Sequence, residues 1–169
     1  YDATVVKRIM AEDGLIIGKV NMDEFACGVS GETSYFGPTL NPEDTNRVPG
    51  GSSSGSAASV SANLCDVSLG ADTGGSIRCP SSFCGVFGLK PTYGTISRYG
   101  LVDMAMSLDQ IGPITKNVAD AALVLSVING NDGMDNTVAK VQQDYTKFSK
   151  QKITGMKIGV VKEFFDGCD

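Results

Sequence analysis

"GGSSSGSAASVSANLCDVSLGADTGGSIRCPSSFCGVFGLKPTYG", residues 50–94, is the stretch that decides how this chain folds. Residues 54–65 within it are mostly small, and a helix of Ala, Ser and Gly can approach another backbone closely, so we predict an interior helix there. Residues 66–72 follow as a short strand, and residues 85–91 as another that Pro91 ends. A buried helix beside short strands indicates an α/β fold.

The flanks of this stretch continue the alternation of helices and strands. Residues 3–13 carry apolar positions on one helical face and lead into the apolar run 15–20, which predicts a helix followed by a strand. The strongest helical pattern lies at 118–129, with a capping-box-like start at Asn117 and Asp120, an apolar stripe along one face, and Gly130 after it. Another helix at 138–150 and a final strand at 156–161 are predicted downstream. The pattern favours an α/β class with a buried sheet.

Length and composition exclude several kinds of protein. At 169 residues the chain is the size of one domain, and its net charge of −5 includes no basic cluster of the kind that binds nucleic acid. No stretch is apolar enough to span a membrane, and no signal peptide is visible. The five cysteines are irregularly spaced and histidine is absent, which argues against a metal site and indicates free thiols in a reducing compartment. We therefore expect a cytoplasmic protein, with the mitochondrion or plastid as alternatives.

Two Gly-Ser clusters, at 49–58 and 72–78, frame the predicted interior helix. The first has the glycine spacing of a phosphate-binding P-loop, but Ser56 stands where the lysine of that loop belongs. It also contains Gly-x-Ser-x-Gly at 51–55, the nucleophile elbow of α/β-hydrolases, although an irregular segment at 26–51 precedes it instead of a strand. Tight turns, with glycine for unusual backbone angles and serine for capping, are the plain alternative for each cluster.

The second cluster has most of what a nucleophilic serine needs. A base must remove the hydroxyl proton of Ser76, and without histidine that base is a lysine or a carboxylate, acting directly or through another hydroxyl. The turn Thr73-Gly74-Gly75-Ser76 can direct consecutive backbone N–H groups to one point, as an oxyanion hole requires. Asp72 and Arg78 flank the turn and are predicted to pin it by hydrogen bonds, the alternative being a surface ion pair.

These residues resemble the signature of the amidase signature family. The likeness is close over residues 50–94, includes the spacing of 24 from Ser52 to Ser76, and extends from about residue 15 to about residue 130. Within the family, "NMDEFACGVSGETSYFGPTLNP" and "SRYGLVDMAMSLDQIGPITKNVADAALVL" are most similar to the A subunits of tRNA-dependent amidotransferases. The resemblance implies an amidase-signature fold, a mixed β-sheet covered by helices. Residues 1–169 would then be an internal fragment of a single amidase domain, with the signature core at 50–94.

The resemblance also implies a Ser–Ser–Lys triad. Ser76 is then the nucleophile that forms an acyl-enzyme. Ser52, reached through a cis peptide bond from Gly51, relays the proton between Ser76 and the lysine. The implied oxyanion hole consists of the backbone N–H groups of Thr73, Gly74, Gly75 and Ser76. The implied supporting residues are Gly51, Ser53, Asp72 and Arg78.

Two departures from the family pattern affect this site. Ser54 replaces a glycine of the first cluster and leaves both matched serines in place. The lysine of the triad belongs farther upstream than the 51 residues that precede Ser52, and neither Lys19 nor Lys90 matches its position. Residues 1–169 would therefore carry two of the three members of the triad, and we expect these 169 residues to be inactive by themselves.

The activity implied by the resemblance is that of a glutamine amidohydrolase. Its ammonia would convert Glu-tRNA(Gln) or Asp-tRNA(Asn) to the amidated form. The implied partners are amidotransferase subunits B and C. ATP and magnesium would act at the partner subunit, which would also hold the tRNA. No cofactor is implied for this subunit. A stand-alone amidase that hydrolyses small or fatty amides is the enzymatic alternative, and a non-catalytic scaffold is the alternative from another class.

Overall fold

The structure, a computed structural model, describes residues 1–140, 142–150 and 152–167. Within these ranges the α-helices are α1 (Thr4–Ala11), α2 (Ser54–Ser61), α3 (Arg78–Phe83) and α4 (Val118–Ile128). The strands are β1 (Val67–Asp72), β2 (Phe87–Gly88) and β3 (Gln110–Thr115). Short 3₁₀ turns lie at Glu24–Ala26, Tyr145–Lys150 and Lys162–Phe165. Every helix in the described ranges is too short or too polar to cross a bilayer.

The strands form a sheet in the order β1-β3-β2, and both pairs are antiparallel. The central strand β3 is buried at every residue. Its register with β1 places Gln110 opposite Asp72. An isolated parallel bridge joins Ile96 to Gly130 outside the sheet. Since helices pack against both faces of this buried sheet, the predicted α/β class is confirmed.

Two hydrophobic clusters occupy the opposite faces of the sheet, because successive side chains of a strand alternate between faces. Ile111 and Ile114 of β3 therefore belong to different clusters. The cluster around Ile111 is completed by α1, α4 and one loop residue: Val5, Ile96, Leu125 and Ile128. The cluster around Ile114 is completed by residues of α2 and of the region around α3: Ala57, Val60, Ile77 and Cys84. Both Gly-Ser clusters of the sequence lie on this second face.

Glycines in β1 and β3 allow α2 and the segment before α3 to lie close to the sheet. Gly70 faces Gly112 across the strand pair. A Cβ on Gly70 would lie 2.8 Å from Ser53 Oγ, and a Cβ on either glycine would lie 3.1 Å from a side-chain carbon of Ile77. The absence of side chains at this glycine pair therefore sets the distance between the sheet and the candidate site.

Gly70→Ala is expected to destabilise the full-length protein by about 2 kcal/mol, because the added methyl group must displace Ser53 or Ile77 in a packed interior. Gly18→Ala is the matched control, since a Cβ there has nothing within 4 Å. Its effect should stay within about 0.5 kcal/mol. Denaturant unfolding of both variants and the wild type measures the difference. Equal stabilities of the two variants would contradict the close packing described above.

The helices predicted at 3–13, 54–65 and 118–129 are confirmed as α1, α2 and α4. As expected of a helix of small residues, α2 is buried along nearly all its length. Helix α4 begins after Asn117, whose side chain accepts a hydrogen bond from the Asp120 N–H at 2.9 Å. That bond satisfies one of the free N–H groups in the first turn of the helix.

The strands predicted at 66–72 and 85–91 are confirmed as β1 and β2, but β3 and α3 were not predicted. Strand β3 contains Gly112 and Pro113, residue types that weaken a strand pattern. Pro113 is tolerated in the central strand because it lies where the pairing with β2 ends. Its carbonyl accepts a hydrogen bond from the Leu89 N–H at 3.0 Å, just beyond the last residue of β2.

The strands predicted at 15–20 and 156–161 are wrong. Neither segment pairs with a strand in the described part of the chain, and their apolar side chains are exposed, 85% for Leu15 and 76% for Ile158. A strand needs a neighbour to bond its backbone N–H and C=O groups. Apolar composition at these two segments therefore did not suffice to form strands.

The helix predicted at 138–150 is wrong over its described part, of which Tyr145–Lys150 forms a 3₁₀ turn; residue 141 lies outside the described residues. The side chain of Asn129, at the end of α4, binds the backbone of this segment instead. Asn129 Oδ1 accepts a hydrogen bond from the Gln143 N–H at 2.8 Å, and Asn129 Nδ2 donates to the Gln143 carbonyl at 2.9 Å. These bonds compete with the backbone bonds that a helix would need.

Candidate active site

The turn between β1 and α3 carries the predicted nucleophile. β1 ends at Asp72 and α3 begins at Arg78, with Ser76 between them and 9% exposed. Gly75 has a φ of +138°, which L side chains rarely adopt, so the turn requires a glycine directly before Ser76. No residue in the described part of the chain hydrogen-bonds to Ser76 Oγ. The hydroxyl is therefore available to a substrate.

Asp72 holds this turn together. Its side chain is 0% exposed, and its carboxylate accepts backbone hydrogen bonds from Gly75 at 2.8 Å, Ile77 at 3.1 Å and Arg78 at 3.3 Å. The Arg78 guanidinium adds two charge-assisted bonds, from Nε at 3.0 Å and from Nη2 at 2.9 Å. The structure thus brings Asp72 and Arg78 together around the turn, and the carboxylate of the pair is buried.

Competing effects act on the pKa of the Asp72 carboxyl. Burial raises the pKa because it disfavours the charged form. The hydrogen bonds from the Arg78 guanidinium and from the N–H groups of Ile77 and Arg78 outweigh burial, so the pKa lies below its ordinary value. The same pairing raises the pKa of Arg78. The ionised pair is therefore the stable form in the folded protein.

The lowered pKa of Asp72 predicts a dependence of stability on pH. A carboxyl whose folded pKa is depressed stabilises the protein above its unfolded pKa of about 3.9, and this contribution is lost as pH falls through the folded pKa. We expect the stability difference between the wild-type full-length protein and Asp72→Asn to narrow as pH falls below about 4. Denaturant unfolding at several pH values measures it, with exposed Asp2→Asn as the control. A difference that stays constant from neutral pH downward would contradict this assignment.

The backbone N–H groups of the turn fall into two sets. The N–H of Gly75 donates to Asp72 Oδ1, so Gly75 is not a free donor, and the predicted oxyanion hole is corrected on this point. No described residue accepts a hydrogen bond from the N–H groups of Thr73, Gly74 or Ser76. A Cβ on Gly74 would have nothing within 4 Å, so the space beside it is open. Unpaired donors beside an open space are suited to bind an anionic oxygen.

The first Gly-Ser cluster lies against this turn. The Ser53 N–H donates to the Ser76 carbonyl at 3.1 Å, and Ser53 Oγ donates to the Ala71 carbonyl at 3.2 Å. The peptide bond between Gly51 and Ser52 is cis. Ser52 is 1% exposed, and its Oγ has no hydrogen-bond partner among the described residues. The structure therefore brings the two predicted serines onto neighbouring segments, and its described residues leave the buried Ser52 hydroxyl without a partner.

A buried carboxylate that is not evident from the sequence supports the segment of Ser52. Asp23 is 0% exposed, and its N–H donates to the Ser52 carbonyl at 3.1 Å. Its carboxylate accepts hydrogen bonds from the Gly31 N–H at 3.0 Å, the Thr33 N–H at 3.0 Å and Thr33 Oγ1 at 2.7 Å. The irregular segment at 26–51 thus wraps around Asp23. Nothing in "NMDEF" distinguishes this aspartate from a surface residue, because the partners of its carboxylate lie at least eight residues away.

Two positions flanking Ser52 and Ser53 fit tightly into this arrangement. A Cβ on Gly51 would collide with the Asp23 carboxylate and lie 3.1 Å from the Gly31 nitrogen, so a glycine is required there. Ser54, the departure from the family pattern, is fully buried, and its Oγ hydrogen-bonds to Thr39 Oγ1 at 2.9 Å. The extra hydroxyl is therefore satisfied by the wrapping segment.

The two lysines considered from the sequence do not contact the serines. Lys90 Nζ donates to the Pro91 carbonyl at 2.7 Å. Lys19 lies exposed in the irregular segment after α1. Since Ser52 Oγ has no described partner, the described residues supply both serines of the predicted triad and no base in contact with them.

A further buried carboxylate lies on the other side of the nucleophile turn. Thr73 Oγ1 donates to Asp109 Oδ1 at 2.5 Å, and Asp109 is 2% exposed and directly precedes β3. Asp109 Oδ2 accepts hydrogen bonds from the N–H groups of Met104 at 2.7 Å and Ala105 at 2.9 Å. Asp109 could not be predicted as a site residue from the sequence, because its contact with Thr73 spans 36 residues. The available signal was an acidic residue before "QIGPIT", a run that was not recognised as a strand.

Comparison with known proteins places this site in a family. The chain matches the Amidase family over residues 1–169. It is 62% identical over 169 residues to the A subunit of glutamyl-tRNA(Gln) amidotransferase from Methanocaldococcus jannaschii, covering all of this chain and 38% of that protein. It is 60% identical over 166 residues to the A subunit of glutamyl-tRNA(Gln) amidotransferase from Halothermothrix orenii, covering 98% of this chain and 35% of that protein. The chain thus spans little more than a third of the length of these curated relatives.

Solved structures show the same fold. The crystal structure of the A subunit of glutamyl-tRNA(Gln) amidotransferase from Thermotoga maritima aligns with a TM-score of 0.84 at 58% identity, covering 85% of this chain and 32% of that one. Native peptide amidase from Stenotrophomonas maltophilia aligns with a TM-score of 0.82 at 42% identity, covering 86% of this chain and 32% of that one. These likenesses confirm the expected amidase-signature fold, of which the described residues form an antiparallel part of the sheet with helices on both faces. The chain belongs to the Amidase family.

Proposed function

We propose that this chain is part of a glutamine amidohydrolase, the ammonia-producing subunit of a tRNA-dependent amidotransferase. The observation that carries the proposal is the contact between the two serine segments. The 3.1 Å bond from the Ser53 N–H to the Ser76 carbonyl sets the Ser52 hydroxyl on the segment beside the nucleophile turn. That hydroxyl is buried and has no hydrogen-bond partner in the part of the chain that the structure describes. The identity of 62% to an amidotransferase subunit supports the choice of substrate.

In the proposed reaction, Ser76 Oγ attacks the side-chain carbonyl carbon of glutamine. Its proton passes through the Ser52 hydroxyl to a lysine that the described residues do not supply. The N–H groups of Thr73, Gly74 and Ser76 bind the oxygen that becomes negative in the tetrahedral intermediate. The C–N bond then breaks, the nitrogen leaves as ammonia with the returned proton, and a γ-glutamyl ester remains on Ser76. Water hydrolyses this ester, which releases glutamate and restores the hydroxyl.

The proposed partners are amidotransferase subunits B and C. The partner subunit would bind the mischarged tRNA and use ATP and magnesium to activate it, and the ammonia released at Ser76 would pass to it. The net charge of −5 and the lack of a basic cluster support a tRNA that is held by the partner. A cytoplasmic location stays a prediction.

Ammonia release by the full-length protein with subunits B and C tests this function. We expect release from glutamine and little release from a panel of simple aliphatic, aryl and fatty amides. Turnover of the simple amides without partners, and none of glutamine, would assign the protein to the stand-alone amidases. No turnover of any amide would support the non-catalytic scaffold and overturn the proposal.

A further inference from the structure

The side chain of Thr73 is restrained although its proposed role uses only its backbone N–H. Thr73 directly follows β1, and its Oγ1 donates to Asp109 Oδ1 at 2.5 Å. The register of β1 with β3 places Asp72 opposite Gln110, so Thr73 and Asp109 are the next pair beyond the ladder. A β-branched side chain with a fixed hydroxyl fixes the rotamer of its residue. The bond therefore limits the backbone positions that Thr73 can adopt.

The acceptor of this bond is itself firmly held. Asp109 is 2% exposed, and no lysine or arginine in the described part of the chain lies within 4.0 Å to form an ion pair with it. A buried carboxylate must be satisfied by hydrogen bonds. Apart from Thr73, the donors to Asp109 are the N–H groups of Met104 and Ala105, at 2.7 and 2.9 Å on the second oxygen. One carboxylate thus joins the nucleophile turn to the loop before β3.

That loop is also fixed at a second point. The Met106 carbonyl accepts hydrogen bonds from Tyr93 Oη at 2.8 Å and from the Arg98 guanidinium. Arg98 is held in turn by a salt bridge to Asp135 with an Nε–Oδ2 distance of 2.8 Å. Asp109 is therefore anchored to a fixed loop, and a shift of Thr73 relative to this anchor would require breaking the 2.5 Å bond.

We infer that Asp109 is a positioning residue of the active site, which acts through the Thr73 hydroxyl to hold the Thr73 N–H where it binds the developing oxyanion. The inference rests on the proposed function of the Ser76 turn and goes beyond it. A donor of this kind acts on the transition state, so its displacement lowers kcat and leaves substrate binding unchanged.

The test uses the full-length protein with its partner subunits and compares Thr73→Val, Thr73→Ser, Asp109→Asn and the double variant Thr73→Val/Asp109→Asn. Valine keeps the shape of threonine without the hydroxyl, and serine keeps the hydroxyl. We expect Thr73→Val to lower kcat for glutamine by about tenfold or more with KM within twofold, and Thr73→Ser to restore most of kcat. The double variant should be no slower than Thr73→Val, since Asp109 is inferred to act only through the Thr73 hydroxyl, which valine removes.

Thr4→Val is the matched control, because Thr4 Oγ1 donates to Asp132 Oδ2 at the same distance of 2.5 Å outside the site. It should lower the melting temperature about as much as Thr73→Val and leave kcat within twofold.

The inference is overturned if kcat of Thr73→Val stays within twofold of wild type, if KM rises as much as kcat falls, or if the effects of Thr73→Val and Asp109→Asn multiply. Failure of the wild type to hydrolyse glutamine would instead refute the proposed function. The same variants are then compared by the rate at which a fluorophosphonate labels Ser76, where equal rates for Thr73→Val and wild type overturn the inference.

Discussion

Replacing Ser76 with alanine is expected to lower ammonia release from glutamine by more than about 10³-fold in the full-length protein with its partner subunits. The change removes the oxygen that would form the acyl-enzyme, and the other hydroxyl of the nucleophile turn, on Thr73, is bonded to Asp109. Folding should be preserved, because no described residue hydrogen-bonds to Ser76 Oγ. Steady-state kinetics and the melting temperature of the same preparation measure both effects.

Ser81→Ala provides the control for this substitution. Ser81 lies in α3, is 2% exposed, and like Ser52 has a buried Oγ without a partner among the described residues. Its removal should leave the rate within about twofold of wild type, since an unpaired buried hydroxyl contributes no hydrogen bond to lose. If Ser81→Ala reduces the rate as much as Ser76→Ala, the loss reports disturbed packing around α3, and Ser76 is not identified as the nucleophile.

The elements that could be predicted from the sequence are those that residues close together in the chain determine. Helix α4 follows from an apolar stripe with a period of 3.6 residues and a capping asparagine. Helix α2 follows from its small residues. Strand β3 was missed because Gly112 and Pro113 interrupt the pattern. Its position in the centre of the sheet results from Ile111 and Ile114, which pack on opposite faces against elements distant in sequence. The wrong strands at 15–20 and 156–161 show the converse, since apolar content without a neighbouring strand leaves the segment unpaired.

Within the candidate site, too, residues in short local clusters could be predicted and residues with remote contacts could not. Ser52, Ser76, Asp72 and Arg78 could be named from the sequence because they lie in two short clusters whose spacing carried the family resemblance. Asp23 and Asp109 could not be named, because each acts through contacts with residues that are remote in sequence. The availability of Gly75 was also misjudged. Its N–H donates to Asp72 Oδ1, a local contact that depends on the direction of one side chain, and a sequence does not specify that direction.

Ser52→Ala is expected to separate stability from activity. The Ser52 hydroxyl is buried and has no hydrogen-bond partner among the described residues, so its removal costs at most the hydrogen bond to the proposed relay lysine, and the melting temperature should change little. Activity should nevertheless fall by about 10²-fold or more, because the proton of Ser76 loses the hydroxyl that relays it to the base. Denaturation curves and ammonia release of the full-length protein with its partners measure the two quantities.

A double variant decides whether the two serines act as one unit. If Ser52 serves only to relay the proton of Ser76, then Ser52→Ala/Ser76→Ala should be no slower than Ser76→Ala, because a relay has no function without a nucleophile. Ser52→Ala with activity within threefold of wild type would remove Ser52 from the proton path. A large fall in melting temperature would assign it to packing instead. Little change in stability with lost activity is the outcome that fits a buried hydroxyl retained for chemistry, since the described part of the fold makes no hydrogen bond to it.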